Sequence, residues 1–317
     1  LWLADVSQRE QSSETVAMSP DPFLRGRALL QAGAHGEAAD SLAEAVAENP
    51  EFAPAHAAWS EAAYALGSPV EARARAERAI TLDPTYAKGY LQRARVTGWI
   101  ERNWSLAERD LETALALTPD APDVLLAMAE LYLLTGRREP SVAMTDALRQ
   151  SPSPSAHVLA ALGRLHRLQQ RQGEAEDLCR QAATQQPGLV AAQECLYRIA
   201  LVRRDSDAAR TIVPALAAAL GASDTEIATF TATEATNELA AFERWRLGQT
   251  ADPVTAAYSS IVLLQFDEAM YLLQQARDGG SGRLPAALHD MIFVGLFHQS
   301  AYGELCQSIG VVVPRFQ

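Results

Sequence analysis

Five prolines, Pro50, Pro84, Pro119, Pro152 and Pro187, stand 34, 35, 33 and 35 residues apart, and an alanine lies five residues before each: Ala45, Ala79, Ala114, Ala147 and Ala182. Proline lacks a backbone N–H and clashes with the preceding turn, so each marks the end of a helix. A small residue shortly before that end lets a second helix approach closely. The pattern predicts repeated helical hairpins. One hairpin cannot bury both of its apolar faces, so each unit must stack on the next and share a continuous core.

The rest of the repeat is present in degraded form. The first unit, about 19–52, carries Gly26, Leu29, Gly33, Ala38, Leu42, Ala45 and Pro50. The second, about 53–86, carries Trp59, Gly67, Ala72, Ala79 and Pro84. The third, about 87–121, carries Tyr90, Ala94, Ala107, Leu111 and Ala114, with one extra residue in its turn "GWIERNWSLAE". Met128, Tyr132, Gly136 and Met144 mark a fourth, Leu162, Ala175 and Cys179 a fifth, and Leu196, Ala209 and Val213 a sixth without a closing proline. This is the tetratricopeptide period. Sparse aromatics, and β-branched runs nearly absent until "GVVVP" near the end, favour an all-α chain. The expected fold is an α-solenoid, a right-handed superhelix of antiparallel helix pairs closed by a divergent C-terminal helical cap.

Three regions are expected: 1–18 as an extension or anchor stub, 19–220 as about six repeats, and 221–317 as divergent pairs and cap. In the last, "ASDTEIATFTATEATNELAAFERWRLGQ" reads as one long helix or a broken pair, N-capped at Ser223 or Asp224. A cleaner pair follows, with Ala269, Leu273 and Ala276 at the second-helix positions. After "DGGSG", residues 284–317 form the seal of the stack. The chain opens "LWLADVSQRE" without a methionine, which is the mark of a fragment or processed product. Leu1, Trp2 and Leu3 suit either the stub of a removed anchor or a docking strand.

The stretches "FLRGRALLQAGAHGEAADSLAEAVAENPEFAPAHAAWSEAAYALG", "GWIERNWSLAERDLETALALTPDAP", "FDEAMYLLQQARD" and "HDMIFVGLFHQSAYGELCQSIG" together resemble the C-terminal tetratricopeptide region of CadC- and ToxR-type membrane-anchored winged-helix regulators of bacteria. The tail matches that group's ending through Asp290, Phe293, Leu296, Tyr302, Leu305 and Gly310, and departs from it at Met291 and "QSAY". The resemblance implies a non-enzymatic sensory or partner-binding domain, periplasmic if the anchored architecture holds and cytoplasmic otherwise. A membrane anchor would lie before Leu1, and dimer contact is one route for a signal. The alternative is a structural adaptor in an envelope or secretion assembly.

A formal charge of −12 disfavours direct contact with nucleic acid, and Lys88 is the only lysine. No stretch reaches the roughly 18 to 20 apolar residues of a membrane span. The histidines, His35, His56, His157, His166, His289 and His298, never fall at i and i+4 with an acidic partner, and "GGSGR" lacks the lysine and spacing of a phosphate loop. No catalytic residue, cofactor or metal site is expected. Cys179 and Cys195, 16 residues apart on consecutive helices, become a disulfide in an oxidising compartment if their geometry allows, and are otherwise two small buried thiols.

Function is expected on the inner face, lined by the first helix of each pair. The register selects Arg27, Glu61, Tyr64, Lys88, Arg95, Trp99, Glu130, His166 and Arg198 as contacts for a protein or peptide. Trp99 and Trp104 flank the lengthened turn, where they serve either as anchors for a partner or as a staple. The positions used by carboxylate-clamp adaptors of chaperones hold Phe23, Arg27, Ala57, Glu61, Leu91 and Arg95, with no asparagine, so that role is not expected.

Overall fold

The computed structural model describes residues 19–150, 153–232 and 238–313. The expected N-terminal extension and Pro152 lie outside them. The described residues are helical, with no strand. No described helix is long and apolar enough to cross a membrane. In chain order the helices are α1 (Pro22–Ala32), α2 (His35–Glu48), α3 (Ala53–Ala65), α4 (Pro69–Leu82), α5 (Ala87–Arg95), α6 (Trp104–Leu117), α7 (Pro122–Leu134), α8 (Arg138–Arg149), α9 (Ala156–Leu168), α10 (Gln172–Gln185), α11 (Val190–Val202) and α12 (Ser206–Ala219). There follow α13 (Asp224–Ala232), α14 (Glu238–Gln249), α15 (Pro253–Val262), α16 (Phe266–Asp278), the single turn α17 (Leu284–Ala287), a 3₁₀ segment Met291–Leu296, and α18 (Ser300–Ser308). The chain divides into two compact units, unit 1 ending at Val124 and unit 2 beginning at Leu125.

The prolines act through the residue before them. Asn49, Asp83, Thr118 and Gln186 follow the last residues of α2, α4, α6 and α10, and all four have φ between −143° and −137° and ψ between 82° and 94°. The proline ring bars the helical conformation from its predecessor, so the helix must stop there. At the other end of each hairpin the turn needs a residue with positive φ. Gly33, Gly67, Arg102, Gly136, Gln170, Arg204 and Leu264 supply it, four of them at a cost that glycine would avoid.

Buried residues at i, i+4 and i+7 recur along the second helices. They are Ala38, Leu42 and Ala45 in α2, Ala72, Ala76 and Ala79 in α4, and Ala107, Leu111 and Ala114 in α6. In α10 they are Ala175, Cys179 and Ala182, in α12 Ala209, Val213 and Leu216, and in α16 Ala269, Leu273 and Ala276. In α8 the buried trio is Ser141, Thr145 and Leu148. This corrects the reading of Ala147 as the close-packing alanine of the fourth repeat. It is exposed, because α8 sits one residue out of the register that the proline spacing suggests.

The extra residue of the third repeat is taken up as a π turn, Val96–Ile100, continuing α5. A π turn absorbs one residue without ending the helix. Gly98 permits it, because a Cβ there would stand 2.9 Å from Ala107 Cβ. Between α12 and α15, α13 and α14 pack against each other as a pair: Trp245 donates its indole N–H to Glu226 at 3.0 Å and its ring lies 5.6 Å from Phe230. Ser223 begins the first with a capping box, its Oγ accepting from Glu226 N–H at 3.3 Å while the Glu226 carboxylate accepts from Ser223 N–H at 2.8 Å.

Candidate binding surface

In unit 1 the first helices α1, α3 and α5 stack side by side, and their shared face carries Arg27, Glu61, Tyr64, Lys88 and Arg95, all half-buried. The charges pair loosely. Arg95 Nη1 lies 3.7 Å from Glu61 Oε1, Lys88 Nζ lies 3.7 Å from Asp123 Oδ2, and Gln92 Nε2 donates to Glu61 Oε2 at 3.4 Å. Side chains held this loosely, with water beside them, are free to exchange one partner for another.

Tyr86 belongs to the same surface. Burial raises its phenol above the ordinary value, and it lies within the fields of Arg27, Asp123 and Glu61. It sits two residues after Pro84, where Phe52 stands after Pro50, and each is the residue just before a first helix. That proline-plus-two position was the available signal in the sequence. Phe52 is spent on structure, its ring meeting Phe23 edge-on at 4.9 Å. Trp99 is spent likewise. It is buried, with its ring 5.7 Å from Trp104 at 74°, so the staple holds and the groove assignment of Trp99 does not. It lies within the π turn, among that turn's buried residues.

Unit 2 treats the corresponding face differently. Asp290, at 0% exposure, lies among three first helices of its own unit. Arg167 of α9 brings Nη1 to 2.5 Å from its Oδ1, Arg198 of α11 brings Nη1 to 3.5 Å from its Oδ2, and Tyr258 of α15 donates its hydroxyl to Oδ2 at 2.8 Å. The Arg198 guanidinium also stacks 3.6 Å over the Tyr258 ring and donates to Glu194 at 2.8 Å. Glu194 accepts from Arg246 at 2.8 Å as well, and Glu243 accepts from Tyr197 at 2.8 Å and from Ser259 at 2.5 Å. Farther along, Arg164 binds Glu130, and Val312 N–H donates to the Leu134 carbonyl at 3.2 Å. The segment after Gly282 therefore runs across the faces of α7, α9, α11 and α15.

Burial alone would push the carboxyls of Asp290 and Glu194 up. The arginines outweigh it: Arg167 and Arg198 hold Asp290 below the usual range, and Arg198 with Arg246 takes Glu194 down to about 2. Tyr258 responds oppositely, raised by burial and by the Asp290 charge.

Residues 99–165 match the tetratricopeptide repeat family. A monomeric mutant of IFIT1, solved with Gppp-AAAA, superposes with a TM-score of 0.57 at 15% identity over 91% of this chain and 70% of that one. Cut9, from the Cut9–Hcn1 assembly of the APC/C, gives 0.51 at 16% over 70% of this chain and 45% of that one. This is a tetratricopeptide-repeat fold. A thermophilic TPR protein of Thermus thermophilus is also similar, with a TM-score of 0.46 at 22% identity over 62% of this chain and 97% of that one. No curated protein matches.

Within the tetratricopeptide fold, the nine residues selected from the sequence separate. Arg27, Glu61, Tyr64, Lys88 and Arg95 come together on unit 1. Glu130, His166 and Arg198 are buried, at 9%, 0% and 8% exposure, and are not an open wall. The chain's own tail claims Arg198 through Asp290, Arg164 claims Glu130, and His166 lies between α8, α9 and α10, facing Glu174 at 3.6 Å. Cys179 and Cys195 form a disulfide tying α10 to α11, with Cα atoms 6.2 Å apart, while Cys306 is a buried thiol.

Proposed function

We propose that this chain is a non-enzymatic protein-binding module whose contact surface is the first-helix face of unit 1, centred on Arg27, Glu61, Tyr64, Tyr86, Lys88 and Arg95. The observation that carries the reading is the contrast in ion pairing. The charge pairs of that face meet at 3.7 Å with their side chains partly exposed, whereas those of unit 2 are consumed internally. Two tyrosines among arginine, lysine and carboxylates suit an extended peptide or a helix of mixed charge, with the aromatics as anchors and the charges setting register. The module acts as the partner-binding region of a membrane-anchored bacterial regulator, outside the cytoplasm. The disulfide supports that compartment, because reducing cytosol keeps such pairs as thiols.

A photoreactive amino acid placed at Lys88, with the protein expressed in its own host, tests the surface. A discrete cross-linked protein partner is expected from position 88 and none from Arg210 of α12 in unit 2. Lys88→Glu with Arg95→Glu should abolish partner recovery while leaving helicity unchanged. Equal recovery with and without those changes refutes the assignment.

A further inference from the structure

We propose that Asp146, His166 and Glu174 form a zinc site that Arg171 closes when no metal is bound. The starting point is His166. Its imidazole is fully buried, yet neither ring nitrogen has a hydrogen-bond partner. A buried polar group left unmatched costs about 1–3 kcal/mol, and native proteins seldom keep one without a use. Nδ1 faces Glu174 Oε2 at 3.6 Å, and one donor atom each from Asp146, His166 and Glu174 lie within 4.8 Å of one another.

The three donors come from three helices, Asp146 from α8, His166 from α9 and Glu174 from α10, so rigid elements hold them. Zinc takes its nitrogen and oxygen ligands at about 2.0–2.2 Å, which sets tetrahedral donors roughly 3.4 Å apart. Closing from the present spacing needs roughly 1 Å of movement, within reach of rotation about the aspartate and glutamate side-chain bonds. Two carboxylate oxygens with one imidazole nitrogen select zinc over magnesium or calcium, which prefer oxygen alone.

Charge explains the present occupant. Arg171 donates to Asp146 at 2.7 Å and to Glu174 at 2.9 Å, and Arg149 donates to Glu174 at 2.7 Å. Two guanidinium charges balance two carboxylates. A zinc ion brings the same +2, so exchanging the arginines for the ion conserves the local charge. Both arginine side chains reach water, at 21% and 50% exposure, and can swing out without leaving a buried charge behind. His166 cannot leave. No spacing within one helix reveals such a site, which is why the absence of a helical zinc motif did not bear on it.

Calorimetric titration of the full chain with zinc chloride at neutral pH, with magnesium chloride as control, tests the proposal. One equivalent of zinc and no magnesium should bind. Asp146→Asn and His166→Ala should each weaken zinc binding by at least about tenfold, with Asp146→Asn deciding if the histidine variant loses helicity. Arg171→Gln should tighten binding, because the competing cation is gone. Failure of both wild type and Arg171→Gln to bind zinc overturns the site. So does zinc binding indifferent to Asp146→Asn in a folded protein, which would indicate surface carboxylates elsewhere.

Discussion

In unit 1, Arg95 meets Glu61 at 3.7 Å with both side chains partly in water, whereas in unit 2, Arg167 meets Asp290 at 2.5 Å with neither reachable by water. Both pairs include a residue from the first helix of the same kind of hairpin. What separates them is the partner's origin. Glu61 and Arg95 belong to the stack itself, while Asp290 arrives from a segment that leaves the repeat pattern and returns across it. Charge on a first helix is therefore not by itself a mark of binding. On the shared face of unit 1 it remains available, although Arg93 of α5 is committed to buried Asp110 at 2.7 Å on another side, and in unit 2 it holds the returning tail.

Acid gives the largest expected difference between the units. The His289 imidazole is taken down to about 4 by burial and so is neutral in the fold. The unfolded chain takes that proton near the ordinary value of 6.5, so unit 2 loses stability as pH falls from there toward 4. His56 is lowered by burial too, so unit 1 shares this first stage. In the second stage unit 1 contributes only Asp83, an exposed carboxyl lowered by its hydrogen bonds from Thr85, whereas unit 2 contributes buried carboxylates. Glu194 is depressed to about 2, so its contribution is complete above the ordinary value of 4.5 and drains as pH falls through 2, with Asp290 following in the same direction. Amide-exchange pulses delivered at a common pH after acid incubation should show α11, α14 and α15 opening before α3 and α4. The reverse order would break the comparison.

Breaking the pair directly is the next largest effect. Asp290→Ala leaves Arg167 buried without its counter-charge and should cost about 3–5 kcal/mol by urea titration. Arg167→Met combined with Asp290→Leu should recover most of that, since a matched apolar pair strands no charge. Reduction of Cys179–Cys195 should follow. Opening a loop of 16 residues costs about 3 kcal/mol in the chain-entropy description, again confined to unit 2.

The architecture was legible because it repeats. Proline, alanine and glycine act locally, so a short stretch around Pro84 announces the same geometry as one around Pro187. The one-residue slip in α8 escaped because Ala147 and Leu148 are both apolar enough to occupy a core position, and only packing chooses between them. The candidate surface was legible in unit 1 for the same reason the hairpins were. In unit 2 it was not. Arg246 meets Glu194 across 52 residues of sequence, and Asp290 meets Arg167 across more than a hundred, separations at which no spacing rule operates. The tail reads in the sequence as a seal for the end of the stack, whereas Asp290 and Val312 lie against the first helices of unit 2, and nothing in "HDMIFVGL" tells which arginines it claims.

The turns offer a smaller test. Unit 1 places glycine at two of its three left-handed turn positions, Gly33 and Gly67, while Gln170, Arg204 and Leu264 hold three of the four in unit 2. Leu264 is 74% exposed with φ of 60°, so its side chain repays little of the strain. Leu264→Gly should stabilise unit 2 by about 1 kcal/mol, seen as a raised urea midpoint with unchanged slope. Gly33→Leu should cost unit 1 a similar amount.

The smallest effect on stability is expected where the effect on function is greatest. Arg95→Ala removes an ion pair at 3.7 Å from half-exposed side chains, and such pairs contribute below about 1 kcal/mol. The urea midpoint should scarcely move. If the same change weakens the photo-cross-linked partner at Lys88 by tenfold or more, the charge serves recognition and not the fold. A large loss of stability would instead make unit 1 resemble unit 2, its first-helix charges also committed to the fold, and would remove the contrast on which the proposed surface rests.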